Sequence, residues 1–348
     1  MTKIKCDHPF ASTTIARSED ATTYLSKREQ RFVLFNLPGD ETSWRGLGLL
    51  GLVFFGSLVV AALLLPFAYG AFEWWSTTFN AQAARAVLSK GPGNLFDFLR
   101  WIPIFIGLPW IMSVCKLWSL ETLGLGRTAV SRRYLANGFV AGVVLVAALA
   151  VGQLLSGAVV VAPRESLSLL VMVKWTVIAF TIAIGVAVIE EIIFRGIILR
   201  IFYTATHRPW LALAVSAIFF AYTHFKIPAN SLTNGGPMTW QTGWLAAYWM
   251  LFGIVPNFEL NRFVALSLLG LVLGALTLRT GSLWPAIGLH GGLVFGMLMY
   301  HDLARNLAST HVLWGGTTLI DGWAAAAALG FLFVLLWRSK LPADMMTT

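Results

Sequence analysis

Charge is scarce in this chain: Asp, Glu, Lys and Arg make up 12% of its 348 residues, against roughly 25% in an average soluble domain. Hydrophobic residues make up 57% and the mean hydropathy is +0.73, more apolar surface than one water-soluble core can hide. Cysteine is scarcer still. Cys6 and Cys115 are too few and too differently placed for a disulfide framework or a structural zinc site, so redox chemistry is not indicated. Also lacking are the apolar core of a cleavable signal peptide in residues 1–43, any internal repeat, and the inverted halves that transporters often show.

What the chain has instead is a close succession of apolar runs from Trp44 onward, at 45–72, 96–118, 135–162, 167–189, 210–225, 262–279, 282–300 and 312–337. Most are near the roughly 20 residues that a helix needs to cross a hydrocarbon layer of about 30 Å. The expected fold is therefore all-α: a polytopic membrane protein of about eight transmembrane helices with an intramembrane polar cavity. Residues 1–43 read as a cytoplasmic N-terminal tail, partly disordered, 44–338 as the helical membrane domain, and 339–348 as a short C-terminal tail. A further run, 243–258, is short, contains Gly253 and Pro256, and carries Trp244, Tyr248 and Trp249, so it reads either as a span or as an interfacial or re-entrant piece.

The net charge of +9 raises the question of nucleic acid. The basic residues sit instead at the ends of apolar runs, where they orient the chain and meet anionic lipid; no basic helix or aromatic platform for RNA is present. Lys27, Arg28, Arg31 and Arg45 precede the first run, Arg127, Arg132 and Arg133 follow the second, and Arg200 and Arg208 flank the turn after the fourth. All three places fall on one side, and with eight spans both termini are expected in the cytoplasm. Gly270 and Gly274, four apart, are expected to let helices pack closely.

One stretch breaks the apolar pattern. "VIEEIIFRGIILR", residues 188–200, sets Glu190, Glu191 and Arg195 among isoleucine, valine and phenylalanine, where an uncompensated charge costs roughly 2.5–3.5 kcal/mol on insertion scales. Glu191 and Arg195 are spaced to pair on one helical face. Glu190 points about 100° away and is left without that partner. Either the three form a buried ion cluster or cap, or Glu190 is a general base or acid.

Neighbouring runs favour the second reading. In "IFFAYTHFKIP", His224 follows Phe220 by four residues, and a helical hairpin turning near 204–209 brings Glu190 and His224 to nearly the same depth. In "TGSLWPAIGLHGGLVF", His290 lies inside another apolar run, with Gly291 and Gly292 expected to leave open space beside it. His207, His301 and His311 fall in expected connecting segments. Glu190 and His224 side by side can hold and deprotonate a water, while His290 stabilises a developing oxyanion. That is hydrolysis of an amide or ester within the membrane. The same Glu190, His224 and His290 are also a conceivable zinc set, ranked lower because no H-E-x-x-H helix is present.

"EEIIFR", "FAYTH" and "RTGSLWPAIGLH", in that order, resemble the three motifs of the CAAX prenyl protease and bacteriocin-processing (CPBP, Abi) family of glutamic-type intramembrane proteases. The resemblance covers about 120–300, beginning at "SLETLGLGR". It implies an endopeptidase with no cofactor, acting on a membrane-associated protein or peptide in the lipid bilayer of a prokaryotic cell (inner) membrane. Within it, Glu190 activates water together with His224, Glu191 and Arg195 support the first motif, Phe220 shapes the pocket, and His290 helps bind the oxyanion. One position departs from the pattern: four residues after His290, where the family commonly has Asn or another polar residue, stands Val294. A catalytically silent member acting as a membrane scaffold or bacteriocin-immunity protein is the alternative that Val294 supports. A proton-coupled transporter relaying through Glu190 and His224 is the other.

Overall fold

In a lipid layer every backbone N–H and C=O must be satisfied within the chain, so apolar runs become helices. The computed structural model describes residues 40–126, 130–161, 168–225, 232, 238–256, 258–306 and 312–339. Helix α1 spans Asp40–Thr78, α2 Gln82–Leu88, α3 Pro92–Val114 and α4 Ser131–Leu155. Helix α5, Leu169–Glu191, passes directly into a π-helical stretch, Ile192–Ile198, and then into α6, Leu199–Thr206. Helices α7, Pro209–Thr223, α8, Trp240–Phe252, α9, Leu260–Thr280, α10, Trp284–Leu303, and α11, Trp323–Arg338, complete the bundle. Two short strands, β1 (Val159–Val161) and β2 (Ala304–Asn306), pair antiparallel with Val160 opposite Arg305.

The chain is an all-α polytopic membrane protein, as expected. Five helical segments among the described residues are long and apolar enough to cross a membrane: Trp44–Thr78, Pro92–Val114, Ser131–Leu155, Leu169–Thr206 and Leu260–Thr280. Pro209–Thr223 and Trp323–Arg338 are shorter apolar helices, so the expected eight crossings are not all of this kind. The first part of the 243–258 run lies in α8, which ends at Phe252 and has 13 residues, fewer than the roughly 20 that a crossing takes. Large apolar side chains face outward along α1 (Leu52, Phe55, Phe67), α3 (Phe98, Ile106, Trp110) and α5 (Leu170, Trp175, Phe180), the surface that lipid covers.

Three sequence expectations need correction. The 312–337 run is not one helix: α11 starts at Trp323, and the segment before it turns at Gly315, whose φ is +72°. Gln153 Nε2 donates to the carbonyls of Trp314 and Gly316, which ties that turn to α4. The 135–162 run likewise stops being helical at Leu155. Arg200 does not flank a turn: it lies buried inside α6, while Arg208 is the exposed residue at the turn. The structure of residues 1–39 and 340–348, which make up nearly all of the two expected tails, lies outside the described residues, as do Arg127 and His311.

Glycine positions two of the helices that carry the site. On α4, a Cβ at Gly138 would sit 2.6 Å from the Pro285 carbonyl oxygen, and one at Gly142 would sit 2.6 Å from the Leu293 backbone nitrogen. From the other side, Gly288 and Gly292 of α10 meet the backbone of Leu135 and Phe139. Two glycine pairs spaced by four thus press α4 and α10 together at backbone distance. On α9, Gly270 meets the Ala217 backbone of α7, and Gly274 makes room for the Leu213 side chain, so these two also let helices pack closely, as their spacing suggested.

Candidate active site

The first motif is built around an ion pair. Arg195 Nη1 donates to Glu191 Oε1 at 2.9 Å, with the two side chains 1% and 0% exposed. The guanidinium also donates to the Gly270 carbonyl at 3.3 Å and lies 4.5 Å above the Phe220 ring. The pair is thereby neutralised, hydrogen-bonded and capped by an aromatic face, which is how charge survives in a dry interior. Glu191 has a further partner ninety-nine positions along the chain: His290 Nδ1 is 2.8 Å from Glu191 Oε1.

Glu190, one residue earlier, points elsewhere. Its Oε2 lies 3.9 Å from His224 Nε2 and 3.8 Å from His290 Nε2, and has no hydrogen-bond partner of its own among the described residues. The helix changes character at this point. Immediately after Glu191 the backbone takes the wider π-helical turn, a feature that recurs at functional sites because it shifts the register of one helix face against the next.

The two histidines are held by their Nδ1 atoms. His224, just past the last turn of α7, has Nδ1 2.8 Å from the Phe220 carbonyl. A carbonyl can only accept, so this Nδ1 carries a proton and Nε2 is the ring nitrogen turned toward Glu190. In His290 the Glu191 carboxylate takes the Nδ1–H in the same way, which again leaves Nε2 facing Glu190. Phe220 lies between the parts: its ring is 4.5 Å from the His224 ring and 6.0 Å from the His290 ring.

Glu190, His224, Phe220, His290 and Val294 all line one cavity of about 260 Å³, floored by apolar side chains of α4, α9 and α11. Arg262, from the first turn of α9, lines it too. A second cavity of about 360 Å³ lies against the same Glu190 and His224, bounded by α1 and α3 and by Phe194 and Phe219. Glu190 and His224 therefore stand between two partly open spaces.

Residues 172–296 match the family model described as type II CAAX prenyl endopeptidase Rce1-like. That stretch is similar to a CAAX-protease-family domain. That match starts within α5 and ends within α10, so it contains Glu190, His224 and His290 and leaves α1, α3 and α11 outside. No curated protein and no solved structure matches the chain. At family level, the match supports a CAAX protease-like endopeptidase in a membrane.

All six residues singled out in the sequence meet at one place: Glu190, His224, His290 and Phe220 line the cavity, and Glu191 and Arg195 pair directly behind it. Gly291 and Gly292 do not leave open space beside His290. Gly292 is filled by the Phe139 backbone, and a Cβ at Gly291 would be 3.0 Å from Ile184 Cδ1. His301 lies in the last turn of α10 rather than in a connection, where it meets Thr317 Oγ1 at 3.0 Å. His207 is the exposed cap of α6, with φ +52°. Among the described residues no group of three or more His, Cys, Asp or Glu side chains is arranged to hold a metal ion as it stands. No residue pattern signalled the π-helical stretch, the Glu191 to His290 contact or the presence of Arg262.

Proposed function

We propose that the protein hydrolyses a peptide bond of a membrane-associated protein or peptide, using a water activated by Glu190 and His224. The observation that carries this reading is the convergence of the Glu190 carboxylate with two histidine Nε2 atoms at 3.8 and 3.9 Å on one cavity. Such gaps are too long for direct hydrogen bonds and are of the size that a bridging water closes.

In this reading the water donates one hydrogen to Glu190 and the other to His224 Nε2. As its oxygen attacks the carbonyl carbon, Glu190 takes the proton and later gives it to the leaving amide nitrogen. The carbonyl oxygen becomes an oxyanion and needs a donor. His290 serves only when it carries protons on both nitrogens, because its Nδ1–H is already given to Glu191. Glu191 and Arg195 act through His290 as positioning residues. No metal takes part in any step.

A second reading, a silent family member that binds a partner in the same cavity, is favoured by one observation: Val294 faces the cavity and offers no hydrogen-bond donor. The test is cleavage of a peptide library by the chain reconstituted in lipid. Glu190→Gln and His224→Ala should each abolish turnover and leave the protein folded. Cleavage retained by either variant removes that residue from the mechanism, and inactivity of the unsubstituted chain toward every peptide favours the silent reading.

A further inference from the structure

Arg262 is an unusual presence. It stands in the first turn of α9, where the helix dipole is positive and a cation is disfavoured. It lines the same largely apolar cavity as Glu190 and His290. No carboxylate pairs with it among the described residues, and Glu259, the residue capping α9, makes no side-chain capping bond. Its guanidinium gives one hydrogen bond, from Nη2 to the main-chain carbonyl of His224 at 3.1 Å, and lies 5.4 Å from the Phe225 ring. These contacts fix the head group beside the proposed water-activating residue and leave most of its five N–H donors unused. Arg100, which lines the other cavity, provides the contrast: its Nε is 2.6 Å from Asp97 Oδ1, so that cation has its counter-ion within the chain.

We infer that Arg262 is an anion anchor that binds a carboxylate of the peptide in the cavity shared by Glu190 and His290. The carboxylate is either the terminal α-carboxylate or an Asp or Glu side chain. A planar guanidinium held by one edge presents its other N–H groups as a fork that matches a carboxylate, and the apolar surroundings strengthen the pair. Val294 and its apolar neighbours offer the peptide no competing charge. The inference rests on the protease reading only for its choice of a peptide as ligand.

The test uses the full chain carrying Glu190→Gln, in lipid nanodiscs, titrated with three fluorescent decapeptides rich in leucine and valine. One has a free C-terminal carboxylate, one a C-terminal carboxamide, and one a carboxamide with a single internal Glu. The free acid or the Glu peptide should bind about tenfold or more tighter than the plain amide, and whichever does so identifies the source of the carboxylate. Adding Arg262→Gln should erase the preference, while Arg262→Lys should keep part of it; Gln retains a donor for the His224 carbonyl, so the fold is expected to hold. Equal binding of all three peptides, no binding of any, or a preference that survives Arg262→Gln overturns the anchor. Cleavage of these peptides by the unsubstituted chain is scored separately. A carboxylate preference without cleavage removes the protease reading and leaves the anchor, and cleavage without the preference does the reverse.

Discussion

The continuous rod of α5, the π-helical stretch and α6 has two halves made of nearly the same residue types in opposite surroundings. In the first half Leu170 is 79% exposed and Trp175 55%, and the helix presents its apolar side chains to lipid. In the second half Glu191, Arg195 and Ile197 are at most 1% exposed, and the helix is enclosed by neighbours on all sides. The change falls at Glu190 and Glu191, where the backbone widens into the π-helical turn. Charge is therefore admitted at the point where the helix leaves lipid and enters protein, and nowhere earlier in the rod's described length except at Lys174. Burial and access to the cavity part company here: the more buried carboxylate, Glu191, is the paired one, and the half-buried Glu190 faces the cavity.

Substitutions in the two halves should differ most where charge is paired. Glu191→Ala leaves Arg195 buried without its carboxylate and His290 without its Nδ1 acceptor, which should cost about 3–5 kcal/mol. Leu170→Ala in the lipid-facing half should stay within about 0.5 kcal/mol. Unfolding titrations in mixed micelles would measure both, and equal losses would erase the contrast between the halves.

The helix seams sharpen the comparison at smaller scale. Gly292→Val on α10 drives new atoms into the Phe139 backbone and should destabilise by about 1–3 kcal/mol. Gly185→Val on the lipid side of α5, where an added Cβ meets nothing within 4 Å, should change stability by no more than about 0.5 kcal/mol. The same titrations decide this pair. The smallest expected effect is none: removing divalent metal ions with a chelator should leave the cleavage rate unchanged, and a loss restored by zinc would replace the water-activating reading with a metal one.

How much of this was legible in the sequence depended on the solvent. Apolar runs located the helices because lipid requires such runs. Helix-face periodicity was no guide, since an apolar side chain fits equally well against lipid and against a neighbouring helix. For that reason the 312–337 run looked continuous although Gly315 and the Asp321 side chain, which accepts from the Gly316 N–H at 3.0 Å, fold its first part into a turn. The site was readable where chemistry was sparse. Glu190 and His224 could be matched in depth because one hairpin joins them. The contact of Glu191 with His290 depends on how α10 packs between α4 and α5, and the glycines beside His290 were misread as open space because no spacing rule says which helix will fill them.

The central claim is that Glu190, and not its buried neighbour, is the group that reacts. The most direct test measures cleavage rate and unfolding free energy together on Glu190→Gln, in lipid, against the unsubstituted chain. The account predicts a fall in rate of at least about 10²-fold with stability changed by no more than about 0.5 kcal/mol. A Glu190→Gln chain that still cleaves at close to the original rate would contradict it.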